Sequence, residues 1–124
     1  MAVVNDDVFR IESLTNTGEV IKTDLSVNGD SSIFKGHFPG QHVVPGACML
    51  QIVKEVLEEA LGYAIQLKKG DNLKFVGMVV PSADNAVVLE ISYKIIDDGI
   101  GVNAKLSDGD RVCFKFQGSF IRPQ

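Results

Sequence analysis

A single helical stripe of apolar residues, followed by strand-like patterns to the end of the chain, restricts the fold more than any other feature of the sequence. Between Gly46 and Leu61, a rotation of about 100° per residue collects the apolar side chains on one broad face and the charged ones on the other. The apolar face consists of Met49, Leu50, Ile52, Val53, Val56, Leu57, Ala60 and Leu61. Gly62 is expected to end the helix. A helix with one apolar face must bury that face, and we expect it to lie on a sheet.

The strands are predicted from apolar residues that alternate with polar ones, the pattern of a sheet with one covered face and one wetter face. Asn16-Thr17-Gly18 joins two such segments before the helix, which predicts an opening hairpin. In the last segment, the alternation places Phe114 inward and Cys113 on the wetter face. The predicted strands are Val8–Leu14, Glu19–Val27, Leu73–Val80, Val87–Ile96, the segment containing Val102, Ala104 and Leu106, and Arg111–Ile121.

Together these elements predict an α+β fold in which one long central helix is wrapped by a curved antiparallel sheet. With 124 residues, of which 45% are apolar and 23% charged, the chain has the size and composition of one globular domain, residues 1–124. The N-terminus has neither the basic region nor the apolar core of a signal peptide. The apolar run Val43–Val53 is far shorter than a membrane span, so we expect a cytoplasmic protein.

Charge and cysteine content narrow the functional classes. A net charge of −4 without any long basic run argues against nucleic-acid binding, which requires clustered lysine and arginine. The densest basic pair, Lys68-Lys69, is expected in a solvated loop. Cys48 and Cys113 lack metal-type spacing and are expected to be structural free thiols. We expect neither a metal nor a cofactor.

The segment before the helix carries the residues with catalytic potential. Gly36-His37-Phe38-Pro39 presents one imidazole on a restrained backbone, and a neutral imidazole is suited to accepting a proton near neutral pH. Pro45-Gly46 leads into the helix, whose first N–H groups and positive dipole end favour an oxygen that acquires negative charge. This combination suits removal of a proton α to a thioester carbonyl. A packed structural role for His37 and a solvent-facing position for His42 are the alternatives.

The stretch Phe34–Gly46 resembles the F-x-G-H-F-P-x-x-P-V-M-P-G signature of the hot-dog-fold 3-hydroxyacyl-[acyl-carrier-protein] dehydratases of fatty-acid synthesis. Leu73–Pro81 resembles the K-F-x-x-x-V-x-P strand of the same family, and the similarity extends from about Asn28 to Ile121. The resemblance implies a hot-dog fold whose subunits join their sheets edge to edge. It also implies active sites in tunnels at the dimer interface.

By the same resemblance, His37 takes the C2 proton of a 3-hydroxyacyl thioester, and the Gly46 N–H binds the thioester carbonyl. Phe38, Val44 and Pro45 are implied to bind the substrate. An acid on the helix of a second subunit protonates the departing C3 hydroxyl, which leaves as water and gives a trans-2-enoyl thioester. The implied partners are an acyl carrier protein or coenzyme A thioester and a second subunit, identical or homologous.

Two positions depart from the family signature. Gln51 stands where the family has the acid, and an amide cannot donate a proton as a carboxylic acid does. His42 stands where the family usually has proline. Glu55, one turn further and about 6 Å along the helix axis, is a candidate substitute acid.

These departures leave open a catalytically impaired acyl-binding or partner-dependent subunit, and also a hot-dog acyl thioesterase. Because acyl carrier proteins are acidic and this chain is acidic too, docking of a carrier requires a local basic patch. The candidates for that patch are Lys35, Lys68, Lys69 and Arg111.

Overall fold

One helix and one six-stranded sheet make up the part of the chain that the structure describes. The structure is a computed structural model and describes residues 9–27, 46–77, 79, 87–97 and 99–123. The strands form one antiparallel sheet in the order β1-β2-β4-β5-β6-β3. In chain order the elements are β1 (Phe9–Asn16), β2 (Val20–Val27), α1 (Gly46–Leu61), β3 (Gln66–Phe75), β4 (Val87–Ile96), β5 (Gly99–Asp108) and β6 (Arg111–Ile121).

The helix forms where its apolar stripe predicts it. Its central apolar residues, Ile52, Val53, Val56 and Leu57, are each no more than 1% exposed and belong to the core shared with the sheet. The helix ends at Gly62, which adopts a φ of 84° and donates its N–H to the Glu58 carbonyl at 2.9 Å. A left-handed glycine in this position closes the last turn, as expected for a helix C-terminus.

The inner face of the sheet supplies the other half of the core. Cross-strand register pairs Leu89 of β4 with Leu106 of β5, and Ile91 with Ala104, and all four side chains are buried. Because side chains alternate between the two faces of a strand, the intervening polar residues lie on the outer face. The expected arrangement of one helix against a curved antiparallel sheet is confirmed.

Strand β3 differs from its prediction in both position and exposure. It begins at Gln66 and ends at Phe75, so Lys68-Lys69 lies in a strand and not in the expected loop. The predicted end at Val80 is wrong. Pairing with β6 shifts register twice along β3, and these irregularities erase the alternation that would have revealed its first half. All ten residues of β3, which lies at one edge of the described sheet, are exposed.

Cys113 lies in the core, against the prediction that it faces the wetter side. Phe114 pairs with Leu106 and Val112 pairs with Ser107, so Cys113 is an extra residue in β6. Such a bulge lets two consecutive residues point to the same side, and both Cys113 and Phe114 are 0% exposed. The Cys113 carbonyl accepts the N–H of Val76 at 2.8 Å and that of Gly77 at 3.1 Å, which ties the chain beyond β3 to the bulge.

Candidate active site

The start of α1 provides the best-defined polar feature near the predicted site. Gly46 is the first residue of the helix, and the first turn contains no acidic side chain. The first four N–H groups of a helix lack an intrahelical acceptor, and the helix dipole adds partial positive charge there. No acidic side chain of that turn competes for this end, so it is suited to an oxygen with negative charge from a bound molecule.

Gln51 is half-buried on α1. It follows the buried Met49 and precedes the buried Ile52 and Val53, so it lies at the border between the packed face and the polar face. Its side-chain amide has no hydrogen-bond partner among the residues that the structure describes. The amide is therefore available to hydrogen-bond a substrate hydroxyl, either as donor or as acceptor.

Gly46 and Gln51 do not face the same direction. Five helical residues separate their Cα atoms by about 7.5 Å along the axis and about 140° around it. One small substrate group cannot readily contact both positions of one helix. The arrangement suits a site in which two helices each contribute one of the two groups.

Glu55 lies one turn after Gln51, at about 40° around the same axis, and is half-buried. Burial raises the pKa of the Cys48 thiol above its ordinary value, and the negative charge of Glu55 raises it further. Helical side chains lean toward the helix N-terminus, so the Glu55 carboxylate points back toward the turn that carries Gln51.

Cys48 is a free, buried thiol. A raised pKa keeps the thiol protonated at neutral pH, and the protonated form is neither a good nucleophile nor a metal ligand. The expectation of a buried cysteine outside any disulfide is confirmed at this position, and Cys113 is likewise buried and outside any disulfide.

The remaining predicted site residues, His37, Phe38, Val44 and Pro45, lie outside the described residues, as does His42. The structure thus positions Gly46 and Gln51 but does not test the role of either residue. Among the described residues, no group of three or more histidine, cysteine or carboxylate side chains could hold a metal ion.

The basic residues considered for carrier docking do not form a patch. Lys69 pairs with Ser119 near the end of β6, whereas Arg111 begins that strand, about 27 Å away along it. Lys69 is also paired with Asp71, at 3.3 Å. Lys35 lies outside the described residues. No helix within the described ranges is long and apolar enough to cross a membrane.

Comparison with known proteins bears on the family of the chain. A family model described as ApeI-like, ApeI dehydratase, matches residues 13–118. A curated relative, the 3-hydroxyacyl-[acyl-carrier-protein] dehydratase FabZ of Haemophilus influenzae, is 24% identical over 91 residues, which are 70% of this chain and 62% of the relative. The FabZ of Oenococcus oeni is 26% identical over 106 residues, covering 78% of this chain and 75% of the relative.

Solved structures show the same architecture. The dehydratase heterocomplex ApeI:P from Xenorhabdus doucetiae superimposes with a TM-score of 0.74 at 18% identity, over 91% of this chain and 97% of the other. A hypothetical thioesterase with coenzyme A from Streptococcus pneumoniae gives a TM-score of 0.68 at 9% identity, over 97% and 89% of the two chains. At such identities the likeness establishes the fold alone, and the fold is the hot-dog fold.

Proposed function

Because the chain belongs to the ApeI-like dehydratase family, we propose that it removes water from 3-hydroxyacyl thioesters to give trans-2-enoyl thioesters. The family match over residues 13–118 carries this proposal, since it includes both the His37 segment and the helix that follows. The FabZ relatives act on acyl groups borne by acyl carrier protein, which favours that carrier, or coenzyme A, as the thioester partner. The proposed setting is acyl-chain synthesis of the fatty-acid or polyketide type in the cytoplasm.

In the proposed reaction, His37 accepts the C2 proton while the Gly46 N–H and the helix dipole stabilise the negative charge that develops on the thioester oxygen. The C2–C3 double bond forms as the C3–O bond breaks, and the hydroxyl leaves with one proton as water. Gln51 holds that hydroxyl by hydrogen bonds but cannot supply the proton. Glu55, whose carboxylate leans toward Gln51, is the candidate donor.

Two subunits are proposed to complete each site. Gly46 and Gln51 lie in different directions around α1, which supports this arrangement. Each site then takes one of the two groups from each of two helices, and the Gly46 and Gln51 of one helix contact different thioesters. Strand β3 supports it as well, since it lies at the sheet edge and exposes Leu67, Leu73 and Phe75 by 44%, 44% and 54%. An exposed apolar edge is suited to pairing with another strand. The second subunit is either identical or a homologue, and the related ApeI:P structure is itself a heterocomplex.

The test is turnover of 3-hydroxyacyl thioesters of several chain lengths, carried by acyl carrier protein and by coenzyme A. We expect enoyl thioester to form and His37→Ala to reduce its rate by about 10²–10⁴-fold, the usual contribution of a general base. Mass spectrometry of the acyl product measures the loss of water. Absence of turnover at every chain length would contradict the proposal.

Gln51 favours a second candidate function, a subunit that binds acyl chains and depends on a homologue for the missing carboxylate. In that case the purified protein is inert, and Gln51→Glu gains dehydratase activity because it restores an acid at the family position. Full activity of the unaltered homodimer excludes this alternative. Release of free thiol from acyl-coenzyme A, assayed in parallel, identifies thioesterase activity instead.

A further inference from the structure

One row of charged side chains crosses five strands on the outer face of the sheet, the face turned away from α1. Lys22 of β2 pairs with Glu90 of β4, and Glu90 pairs with Lys105 of β5. Lys105 in turn pairs with Lys115 of β6, which pairs with Lys74 of β3. We refer to these five residues as the lysine row. Its net charge is +3 in a chain whose total is −4, so the rest of the chain carries −7.

The row contains positive charge that the described structure does not neutralise. Residues directly opposite each other on neighbouring strands have Cβ atoms about 4.5–5.5 Å apart, and like charges in that position repel. Lys105 has a carboxylate partner, with its Nζ atom 3.6 Å from Glu90 Oε1. Lys74 and Lys115 form no ion pair with any residue in the described ranges. Three lysines in adjacent positions thus share one carboxylate.

Protection of the sheet edge does not explain this row. Lysine on an edge strand discourages the addition of further strands, which accounts for Lys74 on β3. Lys105 and Lys115 are on β5 and β6, which are interior strands. Repulsion between them weakens the sheet without protecting an edge.

The lysine row borders a groove that can hold polar groups. The next row along the same face is uncharged and contains Ser92, Asn103, Gln117 and Asn72, in paired register. This uncharged row and the lysine row, except for Lys22, line a cavity of about 360 Å³. The groove therefore combines amide and hydroxyl hydrogen-bonding groups with adjacent positive charge.

We propose that the lysine row is a docking site for an acidic protein surface, and, resting on the function proposed above, that this surface belongs to the acyl carrier protein. Charge complementarity selects this occupant. The rest of the chain, with a net charge of −7, repels an acidic partner, whereas the lysine row, with a net charge of +3, attracts it. The row ends at Lys74 on the β3 edge, so the carrier docks beside the edge at which the second subunit is proposed to join.

The test compares two substitutions that alter the net charge equally. Lys115→Glu acts within the row, between Lys105 and Lys74, whereas Arg10→Glu acts at an exposed position on β1, the opposite edge strand. Both sites are exposed, and Lys115 lies between two lysines, so both variants are expected to fold. Turnover of one 3-hydroxyacyl group is measured at low ionic strength on the carrier protein and on coenzyme A.

We expect Lys115→Glu to raise KM for the carrier-borne thioester roughly tenfold or more, with kcat and turnover of the coenzyme A thioester unchanged. Arg10→Glu changes that KM by less than about twofold. Salt at about 1 M removes the difference, because the screening length falls to about 3 Å. Equal effects of both substitutions, or equal effects of Lys115→Glu on both thioesters, overturn the docking site.

A direct binding measurement separates this proposal from the dehydratase proposal. If the unaltered protein turns over neither thioester, the dehydratase function fails, and titration with carrier protein alone decides the docking site. We expect binding by the unaltered protein and by Arg10→Glu, and at least a tenfold loss of affinity in Lys115→Glu. No carrier binding, or binding of RNA or of phosphatidylserine vesicles in its place, overturns the proposal.

Discussion

Helix α1 and strand β3 are consecutive elements, yet the fold holds them in different ways. The helix buries Ile52, Val53, Val56 and Leu57 almost completely, whereas every residue of β3 is exposed. Among the residues that the structure describes, strand β3 pairs with β6 on one side and with no strand on the other. The difference teaches that apolar burial fixes the helix that carries Gly46 and Gln51, while the strand next to it stays open to a partner.

The largest expected effect is on the free energy of unfolding when one leucine is truncated in each of these two elements. Leu57→Ala removes a 0% exposed side chain and should lower the free energy of unfolding by about 2–5 kcal/mol. Leu73→Ala, at 44% exposure, should cost about 1 kcal/mol or less in the dissociated chain. Urea denaturation at low protein concentration measures both values. Equal losses would contradict the assignment of β3 to an exposed edge.

A smaller effect is expected where β3 meets β6. A Cβ atom added at Gly118 would collide with the Lys69 carbonyl oxygen and would lie 2.6 Å from the Phe116 ring. Gly118→Ala should therefore destabilise the fold by about 1–3 kcal/mol, the usual cost of overpacking. Hydrogen exchange should accelerate first in the amides of β3, with those of α1 less affected.

Gly101→Ala is the matched control for that experiment. Gly101 also lies in an interior strand, but a Cβ atom there would come no closer than 3.8 Å to the Lys94 carbonyl oxygen. A loss of stability as large as that of Gly118→Ala would show that glycine removal, and not the collision with β3, is responsible.

The smallest effect concerns pH and the buried thiol of Cys48. Burial, followed by the charge of Glu55, raises the pKa of Cys48, so the unfolded thiol ionises around its ordinary value of 9.0 and the folded thiol ionises only at higher pH. The stabilisation is complete below pH 9.0 and is lost as the pH rises above it, by at most about 1.4 kcal/mol per pH unit. Urea unfolding of the parent and of Cys48→Ala between pH 7 and pH 10 measures the difference in the free energy of unfolding. The same pH dependence in both proteins would contradict a raised pKa of the Cys48 thiol.

The sequence predicted the elements whose side chains follow one regular period. The helix from Gly46 and the strands Val87–Ile96 and Arg111–Ile121 were found with the predicted bounds, because packing on the opposite element enforces the pattern. Strand β3 was predicted only from Leu73, since two register shifts interrupt its first half. Cys113 was assigned to the wrong face because a bulge advances the chain by one residue without leaving a trace in the residue types.

The candidate site was predictable in part for a different reason. Gly46 and Gln51 could be placed because both depend on one local element, the helix. The complete lysine row could not, because Lys22 and Lys74 join it only through the pairing of non-consecutive strands, β2 with β4 and β3 with β6. His37 lies outside the described residues, and its role stays a prediction.

The pairing of β3 with β6 also sets an order of events during synthesis. Gln66 pairs with Ile121, so β3 emerges from the ribosome well before β6, its one neighbour in the described sheet, exists. Until β6 arrives, Leu67, Leu73 and Phe75 belong to a segment with two open sides, and such segments are prone to misassembly. The edge proposed to receive a second subunit is therefore completed only after every other strand of the described sheet has been synthesised, and until then its assembly competes with aggregation.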